Sequence, residues 1–516
     1  MFNQKTYLLA CIVLCALLPA CVSYKPLDAS LAQASVKNIK APIFTRESLN
    51  PVAHINITAS QRIQLNQVEL LLNDAAVKNF ARIDLFSTDT SGKFSDSVLV
   101  TSVVPAGKNA SLNFDGLPVA GKRNYWISVV LKDNANIDAK VLLKVNKIHT
   151  AGNQFLNFSE QGDVVRRLGI ALRKPMDDNS HSYRIPGLIQ TNTGALIAVY
   201  DIRYEHPWDL PANIDVGMSK SVDGGRTWQP MQNIMDMGEP HKNNGVGDPS
   251  VLFDPATKTL WTAALWSKGN RSIHGSLGGI SPDSTGQFVL VSSNDDGKTW
   301  SEPYTITPQI KDPKWKIFFN GPGNGIAMQD GTIVFAAQYW DENKLPWSTI
   351  VYSKDHGKTW QAGIGAKSNT TEAQVIETTP GTIMISMRDN RGKFRSVATT
   401  TDLGKSWKEH PTSYSVLKDP VCMASFIKAN VKVAGQNKDI VFFSNPNNST
   451  KRVDMTIKAS RDLAESWNEA DQLLLDERDF FGYSCMTPID DKTIGILYEG
   501  ARHIFFMRIP VSDVVK

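Results

Sequence analysis

Cysteine is scarce, and its placement narrows the chemistry: of five in 516 residues, Cys11, Cys15 and Cys21 fall at the extreme N-terminus. Only Cys422 and Cys485 are left for the folded body, too few for a disulfide framework and at a spacing that matches no zinc pattern. They read as small buried hydrophobes. An excess of either charge is also missing. Lys+Arg number 55 against 51 for Asp+Glu, with no basic tract, which gives no support for a nucleic-acid partner. Beyond the first two dozen residues no apolar run is long enough to cross a bilayer. The glycine-rich run Gly321–Gly325 has neither the lysine nor the following helix of a phosphate-binding loop. No cluster of ligating side chains has metal spacing, so neither a metal nor a cofactor is expected.

What is present begins with an export signature. Lys5 precedes an apolar stretch, Tyr7–Leu18, that is followed by small residues. Leu18-Pro19-Ala20-Cys21 resembles the lipobox of bacterial lipoproteins. That resemblance implies a signal peptide over residues 1–20, a lipidated Cys21, and an anchored protein at the cell surface or in the periplasm. Ordinary secretory cleavage nearby, leaving a periplasmic or secreted protein, is the alternative. Residues 21–42 read as a polar tether. Over 43–155, short alternating runs such as Ala81–Phe86 and Tyr125–Val130, separated by turn clusters such as Asp89-Thr90-Ser91-Gly92, predict a small β-sandwich. That module is either carbohydrate-binding or a spacer.

From 160 to 516 the dominant feature is an internal repeat. Ser221-Val222-Asp223-Gly224-Gly225-Arg226-Thr227-Trp228 returns at Ser293–Trp300 and at Ser353–Trp360, with weaker copies at Thr400–Trp407 and Ser460–Trp467, where Ala464 replaces the turn glycine. The period suits one propeller blade plus variable loops. Within each octad the Asp and Ser/Thr side chains can bond nearby backbone N–H groups, glycine can turn left-handed, and Trp can fold beneath the turn. These octads resemble the Asp boxes of sialidases and of other propellers. The fold expected is all-β, a six-bladed β-propeller preceded by the sandwich.

The residues around the repeats extend the likeness to bacterial exo-sialidases (neuraminidases). Ser182-Tyr183-Arg184-Ile185-Pro186 resembles the family's Arg-Ile-Pro motif, and Arg388 and Arg452 match its second and third arginines. The resemblance implies that these three hold the substrate carboxylate. Sialic acid carries that carboxylate on its anomeric carbon, and guanidinium forks grip it bidentately without losing their charge. A carboxylate nucleophile would approach this fixed negative charge and be repelled, so the family uses tyrosine. Tyr483 in Phe481-Gly482-Tyr483-Ser484 resembles the nucleophile segment, with Tyr498 as competitor; Glu372 resembles the base that activates it, with Glu377 as fallback. Glu499 would orient Arg184, Arg203 would contact the sugar, and Asp209 would be the acid/base, with Asp215 and Glu205 as alternatives. Trp266, Trp340 and Trp347 are available for an N-acetyl pocket, whereas Gly247-Asp248-Pro249-Ser250 reads only as a turn. The resemblance therefore implies a retaining exo-sialidase acting on sialylated glycans. A trans-sialidase is a rival that sequence does not resolve, and a lectin-like propeller would need arginines but no nucleophile, base or acid.

Overall fold

A computed structural model describes residues 24–160 and 162–516. The leader and Cys21 lie outside the described residues. In the N-terminal domain two 23-residue strands, Asn50–Leu72 and Asn109–Leu131, run antiparallel. Register shifts at Ala59/Ile63 and Leu65/Gln67 bend the pair, because a bulge kinks a strand and adds twist. Alternate residues such as Ile55, Ile57, Val68, Leu70, Ile127 and Val129 enclose one apolar core. The segment read as a tether is not one throughout. Ala32–Asn38 is a strand paired with Ala53–Ala59, and Val36 lies in the core. Its inward side chains are mostly small, so the alternation carried too little hydrophobic contrast to show in the sequence.

Five blade sheets follow, besides a two-stranded ribbon of Lys393–Phe394 with Lys418–Asp419, and each blade opens with a strand that lies against its neighbours in the ring: Ser182–Gln190, Asn244–Asp254, Ile317–Asn320, Thr370–Glu377 and Ser425–Val433. Six independent blades are not what the sheets show. The last three strands, Ser484–Asp490, Thr493–Glu499 and Ile504–Pro510, take Val165–Arg173 as their fourth, with Ile170 opposite Phe506. That strand also pairs with Lys140–Thr150, merging this group and the N-terminal domain into one 14-stranded sheet. A strand from before the first blade closes the ring, and its leading residues keep pairing backwards.

Every octad closes the same turn. In the first, Ser221 Oγ donates to Asp223 Oδ1 (2.8 Å) and accepts from Gly225 N (2.8 Å), while Asp223 Oδ1 accepts from Arg226 N and Thr227 N, both 2.9 Å. Trp228 then packs edge-on against Phe506 at 5.0 Å. The weakest copy keeps the geometry, with Ala464 forced to φ +74°. Because the octads join third and fourth strands, the opposite face is left to the starts of first strands and the ends of second strands. That face carries the candidate site.

Candidate active site

Arg184 stands near the start of the first strand of its blade and Arg203 ends the second, with Arg184 paired to Asp201 in register. Arg388 and Glu499 occupy the ends of second strands in their own blades, and Arg452 follows the second strand Gln436–Pro446. Three first strands break register at this end: between Arg184 and Gly187, between Gly247 and Ser250, and between Thr370 and Ala373. Ile185 and Asp248, within two of these breaks, adopt φ +59° and +58°. A left-handed β-branched residue is strained, and such strain concentrates where side chains must be aimed. Here the breaks aim Arg184, Asp248 and Glu372 toward one axis.

The fully buried Glu499 ties two segments together. Its Oε1 accepts from Arg184 Nε (3.0 Å) and Ile185 N (2.9 Å), and its Oε2 accepts from Tyr483 N (2.9 Å). The Arg184 guanidinium lies 4.3 Å from the Phe481 ring centroid and 5.4 Å from that of Tyr483. Arg452 is 5.8 Å from the same Tyr483 ring and donates to Phe481 O (2.8 Å) and Val421 O (2.9 Å). Arg388 NH1 donates to Glu372 Oε2 (2.6 Å) and to the Tyr483 hydroxyl (3.0 Å), while its Nε is buried with no partner among the described residues. The Tyr483 hydroxyl in turn donates to Glu372 Oε1 through a very short hydrogen bond. Burial and then the Glu372 charge push the Tyr483 phenol well above its ordinary value, with Arg388 and Arg452 opposing. The phenol is therefore neutral until its proton can pass to Glu372.

Asp209 sits on the strap joining the second and third strands of its blade. Its side chain is 71% exposed, yet Oδ1 lies 2.8 Å from Arg203 NH1 and 3.2 Å from Arg184 NH1. The surrounding walls of the site partly desolvate the exposed carboxyl, which would raise its pKa, but Arg203 and Arg184 outweigh that and hold it below the ordinary carboxylate range. Arg203 is itself buried against Asp201, at 2.8 Å, and bonds Pro207 O. All the residues proposed from sequence for the site (Arg184, Arg203, Asp209, Glu372, Arg388, Arg452, Tyr483 and Glu499) thus converge.

The alternatives do not join them. Tyr498 is fully buried among Phe44, Phe480 and Phe505 and donates to Asp476 (3.0 Å). Glu377 sits at the other end of the strand that carries Glu372, accepting from Gln329 N and Gly381 N beside a separate cavity of about 330 Å³. Asp215 is held by Tyr204 and Asn233, and Glu205 pairs loosely with Lys242. Of the tryptophans, Trp266 bonds Asn244 and Trp347 bonds Asp341, while Trp340 stacks on Phe319 in the cluster that also contains Leu210 of the strap. Sequence reading missed Asp248. Its carboxyl makes no hydrogen bond or ion pair with the described residues, and burial followed by the charges of Asp201, Asp209 and Glu372 raises its pKa well above normal. Its place near the start of a first strand, as for Arg184, was the available signal. Among the described residues no group of three or more His, Cys, Asp or Glu is arranged to hold a metal ion.

Residues 185–472 match the family model of a BNR repeat-like domain, and residues 32–154 match that of the N-terminal domain of BNR-repeat neuraminidase. A sialidase of Bacteroides fragilis is 40% identical over 93% of this chain and 95% of its own length. One from Micromonospora viridifaciens is 32% identical over 62% of this chain and 50% of its own. The solved structure of a Hadza microbial sialidase superposes with a TM-score of 0.88 at 38% identity, covering 93% of this chain and all of that one.

Proposed function

The chain belongs to the sialidase family, and we propose that it is a retaining exo-α-sialidase that cleaves terminal sialic acid from glycans through a tyrosyl-enzyme intermediate. The observation that carries the proposal is the Tyr483 hydroxyl seated on Glu372 beside Arg388. A lectin would need the arginines without this pair. In the proposed reaction Arg184, Arg388 and Arg452 hold the carboxylate of the sugar, and Tyr483 Oη attacks C2 as its proton passes to Glu372. Asp209 protonates the departing glycosidic oxygen. Water then attacks C2, Asp209 takes its proton, and the C2–Oη bond breaks with the proton returning from Glu372 to Tyr483. In the free site Asp209 is ionised beside Arg184 and Arg203. A bound carboxylate claims part of the Arg184 charge, which favours the protonated acid that the first step needs.

Asp248, unpaired on the same face, supplies a further polar contact for the sugar ring. Counting the group closed by Val165–Arg173 as a blade gives the ring six. Export with lipidation at Cys21 completes the proposal and is checked by the mass of the mature N-terminal peptide.

Hydrolysis of a fluorogenic aryl sialoside by wild type, Tyr483→Phe and Arg184→Ala, each folded by circular dichroism, tests the reading. Wild type is expected to release the fluorophore and Tyr483→Phe to lose at least about 10³-fold in kcat. A folded wild type that releases nothing at any pH overturns the assignment.

A further inference from the structure

Of twelve tryptophans in the chain, Trp208 alone is exposed, at 69%. It is the residue immediately before Asp209, at the apex of the strap 204–213. The strap is fixed below that apex. Tyr204 N bonds Asn213 O (3.3 Å), Arg203 NH1 bonds Pro207 O, Asp209 is clamped by Arg203 and Arg184, and Leu210 packs with Leu265 and Phe319. Beneath it, a Cβ added to Gly245 would sit 2.1 Å from Ala212 O, so strap and neighbouring blade are in close contact. The indole itself makes no hydrogen bond or ring contact with the described residues. A rigid support thus holds a large apolar surface in solvent, where burial by a partner would be favourable.

The direction of the reaction says what that partner is. An acid that protonates the glycosidic oxygen must touch it, so the sugar being released, the aglycone, leaves past Asp209. Adjacent Cα atoms are about 3.8 Å apart, less than the width of a pyranose ring, which puts Trp208 within one ring's span of the residue that must touch that oxygen. We propose that Trp208 is the platform for the aglycone and so a specificity-determining residue, its indole face covering the C–H face of a neutral pyranose such as a β-galactoside. The inference rests on Asp209 being the acid of the proposed sialidase reaction. Covering a few tens of Å² of apolar surface corresponds to about a tenfold gain in kcat/KM.

The test compares a substrate that has a sugar aglycone, sialyllactose, with one that has none, sialyl fluoride. For Trp208→Ala the ratio of kcat/KM for sialyllactose to kcat/KM for sialyl fluoride is expected to fall about tenfold, and Trp208→Phe is expected to restore most of it. A ratio within about twofold of wild type, or equal losses on both substrates, overturns the platform while leaving the sialidase reading in place. A folded wild type that turns over neither substrate overturns both.

Discussion

Two aspartates on the first blade show how environment divides carboxyls that look alike in sequence. Asp209 faces two guanidinium groups and is held ionised. Asp215, six residues on, is buried with Asp236 nearby; burial first and that like charge second raise its pKa to about 6, despite hydrogen bonds from Tyr204 and Asn233. The unfolded chain releases this proton at its ordinary, lower pKa. As pH rises from about 4 to 6 the folded state therefore holds the extra proton and stability falls; above about pH 6 the ionised carboxylate carries a constant penalty on the order of 2–3 kcal/mol. Asn keeps an oxygen to accept from Tyr204 and Asn233 without the charge. Asp215→Asn is expected to unfold at higher denaturant concentration than wild type at pH 7, to match it below about pH 4, and to retain hydrolysis. Equal stability at both pH values, or loss of activity in the folded variant, contradicts this account. The arginines, Tyr483 and Glu372 were legible because each sits in a short motif whose chemistry requires that residue type. Asp248 was not, since Gly-Asp-Pro-Ser has the composition of a turn and its inward aim comes from a break in strand register.

At the scale of elements, the octads were readable because turn chemistry is local: Ser, Asp and Thr four or fewer residues apart bond one another whatever surrounds them. What they rest on is not local. Gly225 has φ +88°, and a Cβ there would lie 2.2 Å from the ring of Phe506, a residue 281 positions away. Gly194 has φ +83° with nothing within 4 Å of its missing Cβ. Both positions impose the left-handed penalty of about 1–2 kcal/mol on alanine, but only the first adds overpacking, worth about 1–3 kcal/mol. Gly225→Ala is accordingly expected to destabilise more than Gly194→Ala by roughly that second amount in denaturant unfolding. Equal effects would show that the Phe506 contact yields freely. Ala32–Asn38 marks the opposite limit of sequence reading, where pairing with a distant strand makes a strand of a weakly patterned segment.

The whole molecule joins its two regions more tightly than a spacer or detachable binding module would. Ile43–Thr45 of the N-terminal region pairs in parallel with Leu168–Ile170, the strand that closes the ring. Phe44 is buried in the propeller core, stacked on Phe505 at 3.9 Å and beside Arg478 and Tyr498. Arg46 caps Ala171 O and Leu172 O, and Asp138 pairs with Arg508 (2.7 Å) and Arg226 (2.9 Å). Two regions matched separately in sequence therefore share one sheet, and Phe44 of the first sits in the core of the second, so that their separation would expose Phe505 within a few residues of Glu499, which holds Arg184 and Tyr483 in place. Truncating a buried phenylalanine costs about 3–5 kcal/mol. Phe44→Ala should thus lower the stability of propeller and N-terminal domain together, as a single unfolding transition by calorimetry with hydrolysis lost at the same temperature, and a chain beginning at residue 162 should fail to fold. Two separate transitions, or an active truncated chain, would mean that the ring closes without its N-terminal partner.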